Sequence, residues 1–188
     1  MRKLNGYENA KTYTERERLP VGGYIIKILD VKEQVYSWGE VLVLSFDIIE
    51  GEHKGFYKEE FKSQQQEDKK WKGIYRLTIP KDDGSEKDEW TMRTFKTAIT
   101  AIEESNEGYH WNWDEQTLKN KIVGAVFHNR EYEFDGRQGF YTACHSLRTV
   151  DAIRNGKFKI PADKLLKKEQ ASQIPDGFEE IDDDSIPF

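Results

Sequence analysis

The chain has 188 residues, 36% hydrophobic and 34% charged, enough for one domain with a modest core plus extensions. Its single cysteine, Cys144, excludes an internal disulfide and any cysteine-based zinc site, and reads as a small buried residue in a reducing compartment. The formal net charge of −6 is unevenly placed: residues 169–188 hold seven acids and no Lys or Arg, leaving 29 basic against 28 acidic residues, or +1, in residues 1–168. A body so near neutrality has no global field to draw phosphate, so any nucleic-acid contact has to come from local patches. No apolar run approaches the ~18 residues of a membrane span, and residues 1–6 lack the apolar stretch of a secretory signal. A cytoplasmic protein with no membrane partner is therefore expected.

In chain order, residues 1–21 read as a polar N-terminal arm running into Leu19-Pro20-Val21-Gly22-Gly23. Residues 24–31, rich in β-branched side chains, form the first expected strand. Tyr36-Ser37-Trp38-Gly39 marks a turn, and residues 41–49 make a second strand whose Leu42, Leu44, Phe46 and Ile48 share the core face. After a loop bounded by Gly51 and Gly55, residues 56–62 read as a third strand closing an antiparallel meander. Residues 63–89 are polar and basic, with isolated apolar anchors at Trp71, Ile74, Tyr75, Leu77 and Ile79, and read as irregular with room for a helix.

Met92, Phe95, Ile99 and Ile102 recur at spacings of three and four, which predicts an amphipathic helix over 91–103. Thr91 or Asp88 is its expected cap, and Asn106 with Gly108 its end. Two more strands are expected at 121–132 and 140–150, joined by a turn at 133–137, then a short helix from Asp151 to Asn155-Gly156. Phe46, Phe95 and Phe127 are assigned to the core, and Trp111 and Trp113 to packing down the break after the helix. The order β-β-β-α-β-β predicts a mostly β domain over 22–166, a five-stranded OB barrel, whose strands 2 and 3 and loops 1–2 and 4–5 bind oligonucleotides. An SH3-like barrel or an α+β sandwich gives a similar string.

The sharpest signal lies in the acidic tail, residues 167–188, which ends Asp182-Asp183-Asp184-Ser185-Ile186-Pro187-Phe188. This resembles the C-terminal tip of bacterial single-stranded DNA-binding proteins, a run of aspartates followed by Ile-Pro-Phe, with Ser185 as one inserted residue. The chemistry suits a docking peptide. A terminal Phe offers ring and carboxylate together to an apolar pocket rimmed by Arg or Lys, Pro187 lowers the ordering cost, and the aspartates steer toward basic surfaces. With so few apolar residues the segment is expected to be disordered alone. Asp182, Asp183, Asp184, Ile186, Pro187 and Phe188 are the expected partner-binding residues.

The body resembles phage-encoded single-stranded DNA-binding proteins through Gly51, Lys54-Gly55, residues 119–124 (Lys-Asn-Lys-Ile-Val-Gly) and Arg130-Glu131-Tyr132. The resemblance implies an OB-type fold, sequence-tolerant binding of single-stranded DNA, and a role in phage replication or recombination in the cytoplasm of the infected host. It implies replication or recombination proteins as tail partners, and self-association is compatible with it.

A single-strand binder needs cations along the backbone path and rings on which bases stack. Four segments interleave them. Lys69-Lys70-Trp71-Lys72 with Arg76 is the densest; Arg130, Tyr132, Phe134 and Arg137 fall in the expected loop 4–5; Tyr36 and Trp38 fall in loop 1–2 behind Lys32; Tyr57, Lys58 and Lys62 lie on the expected third strand. Trp38 and Tyr132 are the favoured stacking rings.

Enzyme readings are weaker. Asp47 followed by Glu52 and Lys54 loosely matches a metal-dependent nuclease core, but Glu52 and Lys54 fall in an expected loop. His53, His110, His128 and His145 are scattered, and a facing His128–His145 pair lacks a third zinc ligand. No phosphate-cradling glycine loop or nucleophile elbow is present. No catalytic residue, metal site or cofactor is expected, and the competing reading is a protein adaptor that binds no nucleic acid.

Overall fold

A computed structural model describes residues 5, 7–9 and 18–166. The tail expectations, including Asp182, Asp183, Asp184, Ile186, Pro187 and Phe188, lie outside the described residues.

β1 (Gly22–Tyr36) and β2 (Gly39–Ile48) form a long antiparallel hairpin, closed by the two residues Ser37 and Trp38 where the sequence marks its turn. Leu29 is bulged out between Ile28 and Asp30. Beyond that point β1 no longer pairs with β4 (Ile122–Phe134), which it accompanies only over Gly22–Lys27. On β2 the expected face, Leu42, Leu44, Phe46 and Ile48, is buried. Val41 and Asp47, on the other face, are buried too.

The expected third strand is instead a helix, α1 (Phe56–Ser63). Phe56, Tyr57 and Phe61 suit a strand, but Lys58, Glu59, Glu60 and Lys62 are good helix formers and poor strand formers. Gly55, with φ of 76°, turns the chain into it and carries no side-chain cap. The cap comes from Asp47 on β2: its carboxylate accepts from the backbone N–H of Ile48 (2.9 Å), Tyr57 (3.1 Å) and Lys58 (3.3 Å).

The true third strand, β3 (Ile74–Thr78), lies in the stretch read as irregular. Tyr75 and Leu77 alternate inward against exposed Arg76 and Thr78, the period of a one-sided strand. Gly73 admits it to the sheet. A Cβ there would collide with the Phe46 carbonyl and stand 2.8 Å from the Tyr57 ring.

α2 (Glu86–Ser105) begins earlier than its apolar spacing predicts. Ser85, rather than Thr91 or Asp88, is the cap, its Oγ accepting from the Asp88 N–H at 3.2 Å. Asp88 ties down the approach, accepting from the N–H of Lys81 (2.7 Å) and Asp83 (3.2 Å). The end falls at Asn106 as expected, and its amide joins α2 to β4, donating to the carbonyls of Ile102 and Ile122 and accepting from the Ile122 N–H. Phe95, Ala98, Ile99, Ala101 and Ile102 pack inward with Phe46 and Phe127, whereas Met92 is partly exposed. Trp111 packs against this core; Trp113, at 80% exposed, does not, correcting its expected role.

β4 turns through Asp135 and Gly136, both at positive φ, into β5 (Arg137–Arg148). α3 (Val150–Arg154), capped by Thr149, follows and ends at Asn155-Gly156 as the sequence predicts. The sheet is antiparallel in the order β3-β2-β1-β4-β5. Among the described residues no ladder joins β3 to β5, so the expected barrel is not closed by hydrogen bonds. Lys164 runs parallel to β4, exchanging backbone bonds with Asn129 and Glu131. Among the described residues no helix is long and apolar enough to cross a membrane.

Candidate functional site

The two edge strands face one another across a cleft of about 940 Å³. Ile74 to Thr78 of β3 form one wall and Phe140 to His145 of β5 the other, with His128, Arg130 and Tyr132 of β4 beside them. Phe56, Tyr57 and Glu60 of α1 and Trp90, Thr91 and Thr94 of α2 flank the walls.

Five cationic side chains line the cleft, Arg18, Lys72, Arg76, Arg130 and Lys164, against one carboxylate, Glu60. Glu60 is committed to Lys72 at 2.8 Å, a pair largely shielded from solvent. Rings stand among the cations. Trp90 is 67% exposed and Phe140 36% exposed. Tyr132 and Tyr141 have centroids 6.4 Å apart, and the Arg130 guanidinium lies 5.9 Å from the Tyr141 ring centre. Alternation along β4 places His128, Arg130 and Tyr132 on one face of that strand.

The histidine pair also belongs here, with ring centroids 4.7 Å apart. His128 is buried, its Nδ1 3.2 Å from the Ala162 carbonyl. Burial, then the charges of His128, Arg148, Arg130 and Lys164, hold His145 below the ordinary imidazole value. Burial pushes the neighbouring Cys144 thiol up, leaving it a protonated, unreactive group. Among the described residues no group of three His, Cys, Asp or Glu side chains comes together as a metal site.

Of the sequence-predicted residues, the fold gathers Tyr57, Lys72, Arg76, Arg130 and Tyr132 at this cleft. Tyr57 is nonetheless a core residue, 5% exposed with its ring edge-on to Phe46, and offers no free face for stacking. Lys58 and Lys62 sit on α1 rather than on a strand, Lys62 paired with Glu59 at 2.8 Å. Trp71 is half-buried, its indole N–H shared between the carbonyls of Phe46 (3.1 Å) and Gly73 (3.2 Å), which makes it an anchor for the loop. Lys69 and Lys70 are exposed on that loop, the Lys69 ammonium 5.9 Å from the Phe61 ring centre.

Lys32, Tyr36 and Trp38 occupy the β1–β2 hairpin and do not line the cleft. Tyr36 and Trp38 stack on each other, centroids 5.2 Å apart and planes 11° apart, so each covers one face of the other. Phe134 and Arg137 pair across the β4–β5 turn and are exposed. Asp47 caps α1, while Glu52 and Lys54 are exposed in the loop before it.

Sequence reasoning did not assign Arg18, Trp90, Phe140, Tyr141 or Lys164 to a site; it paired His145 with His128, and the two rings do meet. Trp90 carried a usable signal, since it lies off the apolar stripe of α2 and a tryptophan there has no core to fill. Adjacent rings at Phe140 and Tyr141 on a strand point to opposite faces, so one of them was bound to leave the core. Compared with known protein families and with curated proteins, the chain matches none.

Proposed function

We propose that this protein binds single-stranded DNA along the cleft between β3 and β5 and recruits replication or recombination proteins through its acidic tail. The observation that carries the reading is the cleft lining among the described residues: Arg18, Arg76, Arg130 and Lys164 beside a paired Lys72–Glu60, with the rings of Trp90, Tyr132 and Tyr141 among them and Phe140 on the other face of β5. Cations follow a phosphate backbone and rings hold bases, at about 1–3 kcal/mol per stacked base whatever its identity. Rings set among cations suit an unpaired strand better than a duplex, whose bases are already stacked.

The strand order is that of an OB barrel parted along the seam between its third and fifth strands, and in this reading the parted seam is the binding groove. The fold analogy supports the function without establishing it. The choice of DNA rests on the resemblance of the tail to bacterial single-stranded DNA-binding proteins, and the phage setting on that of the body to phage-encoded ones. The protein then acts without cofactor or catalysis, in the cytoplasm of the infected host.

Fluorescence titration of the full chain with oligo-dT and with a matching duplex, at two salt concentrations, tests this. The expected result is binding of oligo-dT over duplex, with log K falling against log salt by about 0.7 per phosphate neutralised. Equal binding of duplex, or none of either, overturns it; an adaptor would show no nucleic-acid affinity while still capturing tail partners.

A further inference from the structure

We infer that the path of the bound strand continues past the first cleft into a second one between α2 and β5, where Arg93, Lys96 and Arg148 take backbone phosphates. The inference rests on the proposed function and extends it to a subsite. The second cleft, about 440 Å³, has those three cations in its lining and one carboxylate, Glu104. No aromatic ring lines it, so it suits the phosphate backbone and offers the bases nothing on which to stack.

The two clefts draw on the same two elements, α2 and β5, with neighbouring but different residues. On α2, Trp90, Thr91 and Thr94 line the first, and Arg93, Lys96 and Thr97 the second. On β5 the first lining runs to His145 and the second begins at Leu147. Arg148 lies three residues beyond His145 on β5, its guanidinium donating to the Leu147 carbonyl at 2.9 Å at the edge of the second cleft. Thr91, Thr94 and Thr97 donate their hydroxyls to carbonyls one turn back, which lays these side chains along α2.

Arg93 has a carboxylate neighbour, Glu89 at 3.9 Å, but both side chains are well exposed, and such a pair binds too weakly to hold the guanidinium from a phosphate. From Trp90 to Glu104 the helix advances about 20 Å, so a long oligonucleotide can follow the whole of the second cleft, whereas a short one seated in the first reaches only its near end.

The test uses the full chain, its R93Q/K96Q variant, and two oligo-dT lengths, about 5 and about 16 nucleotides, within the range that single OB domains occupy. Both substituted positions are exposed on a helix, and thermal melting verifies the fold. The variant is expected to bind the long oligonucleotide about tenfold more weakly, with a salt slope shallower by about 1.4 for two lost phosphates, and to lose clearly less on the short one. Equal losses at both lengths would mean a diffuse field rather than a subsite, and no loss at the long length would remove the path; either result overturns the inference. Wild-type protein that binds neither length overturns the parent reading, and the subsite with it.

Discussion

Tyr132 of β4 lies over Gly139, its cross-strand partner on β5: a side-chain carbon added at Gly139 would stand 3.0 Å from the phenol oxygen and 3.1 Å from the ring. The glycine thus sets where a cleft ring rests. Gly139→Val is expected to displace that ring and weaken oligo-dT binding by about the worth of one stacked base, ~1–3 kcal/mol, matching Tyr132→Ala. Titration beside a thermal melt measures it. Wild-type affinity in both variants would take Tyr132 out of the interface.

Trp90 is the most exposed ring of the cleft and sits on α2, where alanine is a good helix former. Trp90→Ala should lower oligo-dT affinity by ~1–3 kcal/mol with little change in melting temperature. Trp71→Ala should do the reverse, losing stability through the hydrogen-bonded anchor and leaving affinity nearly intact. If Trp38→Ala abolishes binding while Trp90→Ala does not, the strand lies on the β1–β2 turn.

Asp47→Ala leaves the backbone N–H groups of Tyr57 and Lys58 without their acceptor. A cost of about 1–3 kcal/mol in urea unfolding is expected; Asn, which keeps one acceptor, should fall between. Burial raises the Asp47 carboxyl above its ordinary value, while the three N–H bonds pull the other way. Across the interval between unfolded and folded pKa the native state holds the extra proton, so this contribution to stability declines as pH rises just above the ordinary carboxylate value. The Asn variant should lack that decline.

His145 is held below the ordinary imidazole value, first by burial and then by His128, Arg148, Arg130 and Lys164, so it is neutral at neutral pH. In the free protein the unfolded chain takes up the proton first, and stability is lost as pH falls from the ordinary value through the lowered one. A phosphate in the cleft favours the imidazolium, so DNA binding should take up a proton and tighten as pH falls from about 8 to about 5. His145→Gln should flatten that dependence in titrations across the range. An unchanged slope would place the strand away from this histidine.

The chain turns toward the tail beside the cleft, where Lys164 pairs with β4 and also lines the groove. Seven acids follow within residues 169–188. Deleting residues 177–188 is expected to tighten oligo-dT binding at low salt, by removing an anionic competitor, and to abolish capture of tail partners. Unchanged affinity at low ionic strength would mean that the tail does not compete.

What the sequence determined by itself is what depends on neighbours along the chain. The β-branched run of β1, the alternating core face of β2, the three-and-four spacing on α2 and the Asp135-Gly136 turn are local periodicities, and each is where it was expected. The docking chemistry proposed for the tail is local as well, being a matter of the composition of residues 182–188. The tertiary structure alone decided the rest. Residues 56–63 became a helix because Asp47, about ten residues earlier and on another strand, supplies the cap that Gly55 lacks. Lys72, Arg76, Trp90, Arg130, Tyr132 and Tyr141 meet only because the sheet turns its two edges toward each other. Which cations and rings share a cleft depends on that closure across long separations, and no spacing along the chain encodes it.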